Sequence, residues 1–300
     1  MFMRSIGLFT AAIFGLALPA FGCSANVSAT PEQADAEANA SAPTAAVIVV
    51  QRTVGDGARG EAVARFMRMR GRQDQADALR VVGAAVDFPA LGTCLSLTTL
   101  DRSVAIAPVS AVSPLEPAPS VQLLDVGAVS MEANGVQTQL FARQVPDVVD
   151  LVSGVVYARA TDAEFLPARG RYVLRVAGAL DADAFVVPAS APGDLGDLRV
   201  AGQDGRVVAL PPAAAADLSW EPGAADDMVY VDVNATSVAQ MPTIRCAFSD
   251  AGRATIAAAL LPDDGTLSIH RVHRERFRAR GIDSGEMRFD FAKVVSFSRR

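Results

Sequence analysis

The chain has 300 residues, of which 51% are hydrophobic and 20% charged, with a formal net charge of −6. That apolar content can build cores and excludes wholesale disorder. The acidic balance lacks the basic field that phosphates attract, so no nucleic-acid partner is expected. Length alone suggests two domains after an N-terminal extension.

Residues 1–22 read as a secretory signal. Arg4 supplies the positive end, residues 6–18 are almost wholly apolar, and small residues then lead to Cys23. The apolar run is too short and wrongly flanked to cross a bilayer. Residues 23–45 begin at Cys23 and continue in Ala, Ser, Pro, Asn and Glu with no apolar period. Such a composition makes a disordered tether.

The segment Ala20-Phe21-Gly22-Cys23 resembles the lipobox of bacterial lipoproteins, a resemblance confined to the first 23 residues. It implies that the Cys23 thiol is acylated and becomes the mature N-terminus, making the membrane a partner through that lipid. With Ser24 next, in place of Asp, it also implies an outer-membrane destination. Ordinary cleavage after Ala20-x-Gly22 fits as well and would give a periplasmic or secreted protein. Cysteine arithmetic separates the two. Of Cys23, Cys94 and Cys246, lipidation removes the first and leaves an even pair. Cys94 and Cys246 are therefore expected to form a disulfide in an oxidising compartment.

From residue 46 onward, short apolar runs alternate with turn residues. Strands are expected at 46–51 and 94–100 and a short helix at 75–84; at 61–70 Val63, Phe66 and Met67 fit a helical stripe, a strand is equally allowed, and the reading leans to strand. A Pro-rich connector covers 108–119. Asn134-Gly135 lies between two β-like runs and predicts a hairpin, because a type I′ turn needs positive φ at both central residues. Strands follow at 151–159, 170–176 and 184–188. In the second of these Tyr172, Leu174 and Val176 share one face and two arginines the other. Residues 188–197 cluster Pro, Gly, Ser and Asp and mark a boundary. Beyond it a hairpin is expected around Gln203-Asp204-Gly205. About seven short strands then run to the C-terminus, with Trp220 placed to fill the space between sheets.

This C-terminal region loosely resembles immunoglobulin-like and fibronectin type III-like sandwiches. The expected fold class is mainly β. Residues 46–190 form a β-rich domain with one short helix, and residues 191–300 form an immunoglobulin-like β-sandwich.

Chemistry is sparse. No Gly-x-Ser-x-Gly elbow, Walker A run or Gly-x-Gly-x-x-Gly run occurs. His270 and His273 are the only histidines. On a strand their spacing points them to opposite faces, which spoils joint metal ligation. Both read as polar residues of a solvated face. Asp181-x-Asp183, Asp226-Asp227 and Asp263-Asp264 sit in loops where carboxylates could converge on calcium, but none has the EF-hand spacing, and Asp263-Asp264-Gly265 is explained as turn chemistry. No metal, cofactor or catalytic residue is expected. Arg274, Arg276, Arg278 and Arg280 recur at period two, so on an extended segment they line one face. They suit either a solvated edge strand or an anionic partner. The expected role is a non-catalytic, lipid-anchored envelope protein whose partner is another envelope protein or an anionic glycolipid. Two alternatives stand beside it. One is an envelope hydrolase with a carboxylate or metal-assisted site. The other is a carbohydrate-binding module with an exposed platform at Tyr157, Tyr172, Tyr230 or Trp220.

Overall fold

The computed structural model describes residues 42–55, 57–71, 74–97, 120–148, 151–236 and 242–299. The signal, Cys23, the tether up to residue 41 and the connector at 108–119 lie outside the described residues. The chain is mainly β. In its first half it forms β1 (Thr44–Val54), β2 (Arg59–Arg70), helix α1 (Gln75–Val81), β3 (Thr93–Leu97) and β4 (Ser120–Leu123). These are followed by β5 (Val129–Ala133), β6 (Val136–Val148), β7 (Val152–Thr161), β8 (Arg171–Val176) and β9 (Phe185–Ser190). The second half adds β10 (Arg199–Val200), β11 (Val207–Leu210), β12 (Ala216–Ser219) and β13 (Met228–Ala235). It ends with β14 (Thr243–Ser249), β15 (Arg253–Ile256), β16 (Asp264–Ala279) and β17 (Ile282–Arg299).

Strand β1 shows why the sheet is arranged as it is. Its sequence is apolar at consecutive positions, the pattern of a strand buried on both faces. Ala46, Ile48 and Val50 face one core, while Ala45 and Val47 face another on the opposite side. The strand lies between antiparallel β2 and parallel β17. From there one hydrogen-bonded path runs β3-β14-β13-β16-β17-β1-β2-β4-β7-β6-β5-β8-β9, with β11 also beside β17. Strands β10, β12 and β15 form a separate three-stranded sheet.

Two layered cores result. In the first, β5, β6, β8 and β9 cover β1, β2, β7 and the first half of β17. Tyr172 meets Phe289 edge-on across the layers at 5.0 Å, and Phe66 meets Phe185 at 6.1 Å. In the second, β10, β12 and β15 cover β13, β14 and the far ends of β16 and β17, with Trp220 buried between them. Helix α1 and Ala84 close the outer face of β1 and β2. The helix starts at Asp74, whose side chain accepts from the Asp77 amide at 2.8 Å and satisfies one orphan donor.

The cores divide near the expected boundary at 190/191, but the strands do not. The β16–β17 hairpin gives Leu267, Ile269, Val295 and Phe297 to the second core and Ile282, Met287, Phe289 and Phe291 to the first. Ala42–Arg300 forms one compact unit. Strand β17 also has β1 and β11 as parallel neighbours, pairings that an immunoglobulin-like pattern of two antiparallel sheets does not contain.

The Asn134-Gly135 hairpin forms as expected, with φ of 48° and 84° at the two turn residues. The hairpin expected around Gln203–Gly205 does not. The tight turn is at Ala201-Gly202, closed by the Val200 amide on the Gln203 carbonyl, and β10 pairs with β12. The following strand, β11, joins β17 instead. Turn residues were abundant there, and the tertiary partner decided which of them bent.

Gly154 sits where β7 meets both β4 and β6, with φ of +122°. A Cβ there would lie 1.9 Å from the Leu123 carbonyl oxygen, so the backbone would have to move. Gly154→Ala is expected to lower the unfolding free energy by about 3 kcal/mol or more, measured by urea unfolding of the oxidised protein.

Candidate functional site

The inner face of β16 is apolar at Leu267 and Ile269, then turns polar at Arg271, His273 and Glu275 where the two cores meet. The outer face carries His270 and the arginine row. The chemistry-bearing residues of the chain therefore gather along one strand.

Arg271 is 1% exposed. Its Nε donates to Asp250 Oδ2 at 2.6 Å and its Nη2 to Asp250 Oδ1 at 3.2 Å. Nη2 also donates to the Glu221 carbonyl. Nη1 donates to the carbonyls of Gly193 at 3.0 Å and Asp194 at 2.7 Å. All five guanidinium N–H groups are used. Trp220 Nε1 donates to Asp250 Oδ1 at 2.6 Å, which ties the second core to the same carboxylate. Arg52 of β1 pairs with the Asp194 side chain. Two arginines on different strands thus pin the segment that links the two cores.

His273 shares this face. Its Nδ1 lies 2.6 Å from Asp227 Oδ1 and its Nε2 3.5 Å from Glu275 Oε1. Asp227 Oδ2 accepts from the Ala224 amide at 3.1 Å, closing the turn before β13. Donor atoms of Asp226, Asp227 and His273 lie within 4.8 Å of one another. Asp227 thus uses Oδ2 within the turn and Oδ1 toward His273. The backbone at Gly223 runs against both buried carboxylates: a Cβ there would stand 2.3 Å from Asp250 Oδ2 and 2.7 Å from Asp227 Oδ2. A cleft of about 390 Å³ opens beside Glu275, lined by Arg169, Arg171, Pro188 and Ser190.

On the outer face His270 Nδ1 lies 2.7 Å from Asp290 Oδ1, and the Tyr230 hydroxyl donates to Asp290 Oδ2 at 2.7 Å. The Tyr230 ring stacks on His270 with centroids 4.2 Å apart. Arg245 lies over the other side of Tyr230 at 4.6 Å and forms a bidentate pair with Asp232, both bonds 2.8 Å. Burial by itself pushes the Asp290 carboxyl up. The hydrogen bond and charge of His270, the Tyr230 hydroxyl and Arg245 more than offset this, so its pKa lies below the usual carboxylate value. Burial, with Asp290 adding to it, raises the Tyr230 hydroxyl well above its ordinary value.

The two histidines point to opposite faces, as their spacing predicts, and each meets a different aspartate. They are not polar residues of a solvated face. Their side chains are only 18% and 17% exposed, and each contacts a buried carboxylate. The four tyrosine and tryptophan positions considered for a sugar platform are all buried, at 5% exposure or less. Arg274, Arg276 and Arg278 line one exposed face of β16, and Arg280 is exposed just past its end, in the turn to β17. They lie on a free edge, because β13 pairs with β16 only as far as Val272.

Cys94 and Cys246 are disulfide-bonded, facing each other directly in the β3–β14 register and closing a separation of 152 residues. In the chain-entropy model a loop of that length contributes about 5 kcal/mol. Reasoning from sequence missed the Arg271–Asp250 pair. The available signal was parity: Arg271 follows Leu267 and Ile269 on a core-facing row, where a charge must find a partner.

No family model matches the chain, and no curated protein matches it. Among solved structures it is similar to the Fcho1 Mu homology domain of Danio rerio with bound Eps15 peptide. The two are 11% identical, the match covers 87% of this chain and 99% of that one, and the TM-score is 0.23. A score that low carries no argument for a shared fold or ligand.

The buried charges lead to three predictions. Arg271→Ala strands the Asp250 carboxylate and is expected to cost about 3–5 kcal/mol in chemical unfolding. Arg271→Met combined with Asp250→Asn should cost less than the sum of the single changes, which a double-mutant cycle reads directly. Asp290 has a folded pKa below its unfolded value of about 3.9. Its contribution is present above that value and is lost as pH falls through the folded value. Asp290→Asn should therefore flatten the acid limb of stability against pH, measured by urea midpoints from pH 6 down to the acid transition.

Proposed function

We propose that this chain is an exported protein anchored to a membrane by lipid at Cys23, and that its body binds a partner and has no catalytic role. The observation that carries this reading is the disulfide. With Cys94 joined to Cys246, Cys23 is the one cysteine of three left over, and it stands in the lipobox-like segment. A buried disulfide half such as Cys246 fits an oxidising compartment. Ser24 directs the anchored protein to the outer membrane.

The polar groups of the body support a structural and binding role. Each histidine Nδ1 faces a buried aspartate, and the buried guanidinium of Arg271 ties the segment linking the two cores to the strand they share. These groups hold the fold. The burial of Trp220, Tyr157, Tyr172 and Tyr230 weighs against the carbohydrate-binding alternative, which needed at least some of those rings exposed. The partner is an anionic glycolipid or another envelope protein.

The test is the intact mass of native protein extracted from membranes, with and without a globomycin-type inhibitor of lipoprotein processing. The expected result is a mature N-terminus at Cys23 carrying acyl mass, with unprocessed precursor accumulating under the inhibitor. A lipid-free N-terminus at or beyond Cys23 would overturn the anchor and make the protein periplasmic or secreted.

A further inference from the structure

The β16–β17 ribbon extends past the end of β13, and its exposed face is lined with arginine. Arg274, Arg276, Arg278 and Arg280 are all exposed, and each intervening residue is half-buried. Alternate residues of a strand stand about 6.6 Å apart, so Arg274 to Arg278 span about 13 Å, and Arg280 follows in the turn to β17.

Counter-charge balances the row only in part: Glu286 acts on Arg274 and Asp283 on Arg278. Directly across from it on β17, Arg288 faces Arg274 and Glu286 faces Arg276. Glu286 is already held by Arg288, through Nε at 2.8 Å and Nη2 at 2.6 Å. Asp283, at the start of β17, accepts from the Thr44 amide at 2.8 Å and from the Thr44 hydroxyl at 2.9 Å. Among the described residues only Arg280 of the four forms an ion pair, a loose one of 3.8 Å with Asp183. On an otherwise acidic chain this face is left with an excess of positive charge.

The position of the row identifies what it would meet. Thr44 is where the N-terminal segment enters the fold, and it is bonded to Asp283 at the tip of the arginine-bearing hairpin. The stretch of residues 24–41 reaches about 60 Å even when fully extended. A body tied at Cys23 thus enters its own fold beside the arginine row, within reach of the membrane that holds the anchor. A single anchor combined with a basic patch is a stable two-signal arrangement for membrane attachment.

We propose that Arg274, Arg276, Arg278 and Arg280 dock the body onto the phosphate-bearing headgroups of the membrane in which Cys23 is anchored. This inference rests on the lipid-anchor reading, but its test does not use the lipid. The mature chain from residue 23, carrying Cys23→Ser, is mixed with vesicles of phosphatidylcholine alone or of phosphatidylcholine with phosphatidylglycerol, and sedimented. Binding is expected only to the anionic vesicles, weakening as salt rises.

Arg276→Glu with Arg278→Glu should lower the partition coefficient at least about 25-fold, taking about fivefold for each arginine removed, with the added glutamates repelled further. Arg199→Glu with Arg253→Glu makes the same charge change on exposed residues of the three-stranded sheet and should leave binding nearly intact. Matching thermal unfolding curves would exclude misfolding of the variants. Three outcomes would overturn the proposal: no binding to anionic vesicles, equal loss in both double variants, or displacement by millimolar inorganic phosphate at constant ionic strength. The last would assign the row to a free anion. Acylation of Cys23 without vesicle binding would leave the anchor standing and remove the docking face. Vesicle binding without acylation would do the reverse.

Discussion

The guanidinium of Arg271 ties the segment linking the two cores to the strand that both cores share. Arg271 occupies a core-facing position where β16 passes from one sandwich to the other, and it is fully desolvated. A charge in that position is tolerable only when its donors are all satisfied and an opposite charge lies against it. Asp250 supplies the charge, and the carbonyls of Gly193, Asp194 and Glu221 supply the remaining acceptors. Those carbonyls belong to the stretches that connect and cover the cores. The pair therefore acts less as a source of stability than as a device that fixes where the connecting chain must lie.

The rest of the polar belt follows from that placement. Once β16 passes between two apolar cores, its inner face cannot be apolar along its whole length without fusing them. His273 and Glu275 continue the belt beyond Arg271. On the outer face the same strand meets Asp290 and Tyr230 through His270. Buried networks of this kind are costly when incomplete and specify one arrangement when complete. Here they determine how the hairpin of β16 and β17 is shared between the cores. Beyond the belt the hairpin leaves the protection of β13, and arginine replaces buried side chains on its exposed face.

Much of this was legible in the chain order of residues. The consecutive apolar positions of β1, the alternation of Tyr172, Leu174 and Val176, and the Asn134-Gly135 turn each follow from a local rule. Local rules hold where the structure is local. The disulfide was legible for a different reason: with Cys23 set apart in the lipobox-like segment, parity leaves Cys94 and Cys246 to pair, and parity needs no geometry. The hairpin around Gln203 failed because several adjacent residues could turn, and only the availability of β17 as a partner for β11 chose among them. The histidines were misjudged because burial is a property of the whole sheet. His270 and His273 look polar and exposed until β13 and β17 are laid against them.

The sequence by itself determined the β texture, the positions of most strands and the exposed arginine period. These depend on composition and on a repeat of two residues, both of which are short-range. Only the tertiary structure decided that β1 would sit in parallel beside β17, that one long hairpin would serve two cores, and that Asp250 and Asp290 would be the partners of Arg271 and His270. Those pairings join residues 20 to more than 200 positions apart. They are set by which buried charge finds which opposite charge once the sheets close, a matter that no local pattern encodes.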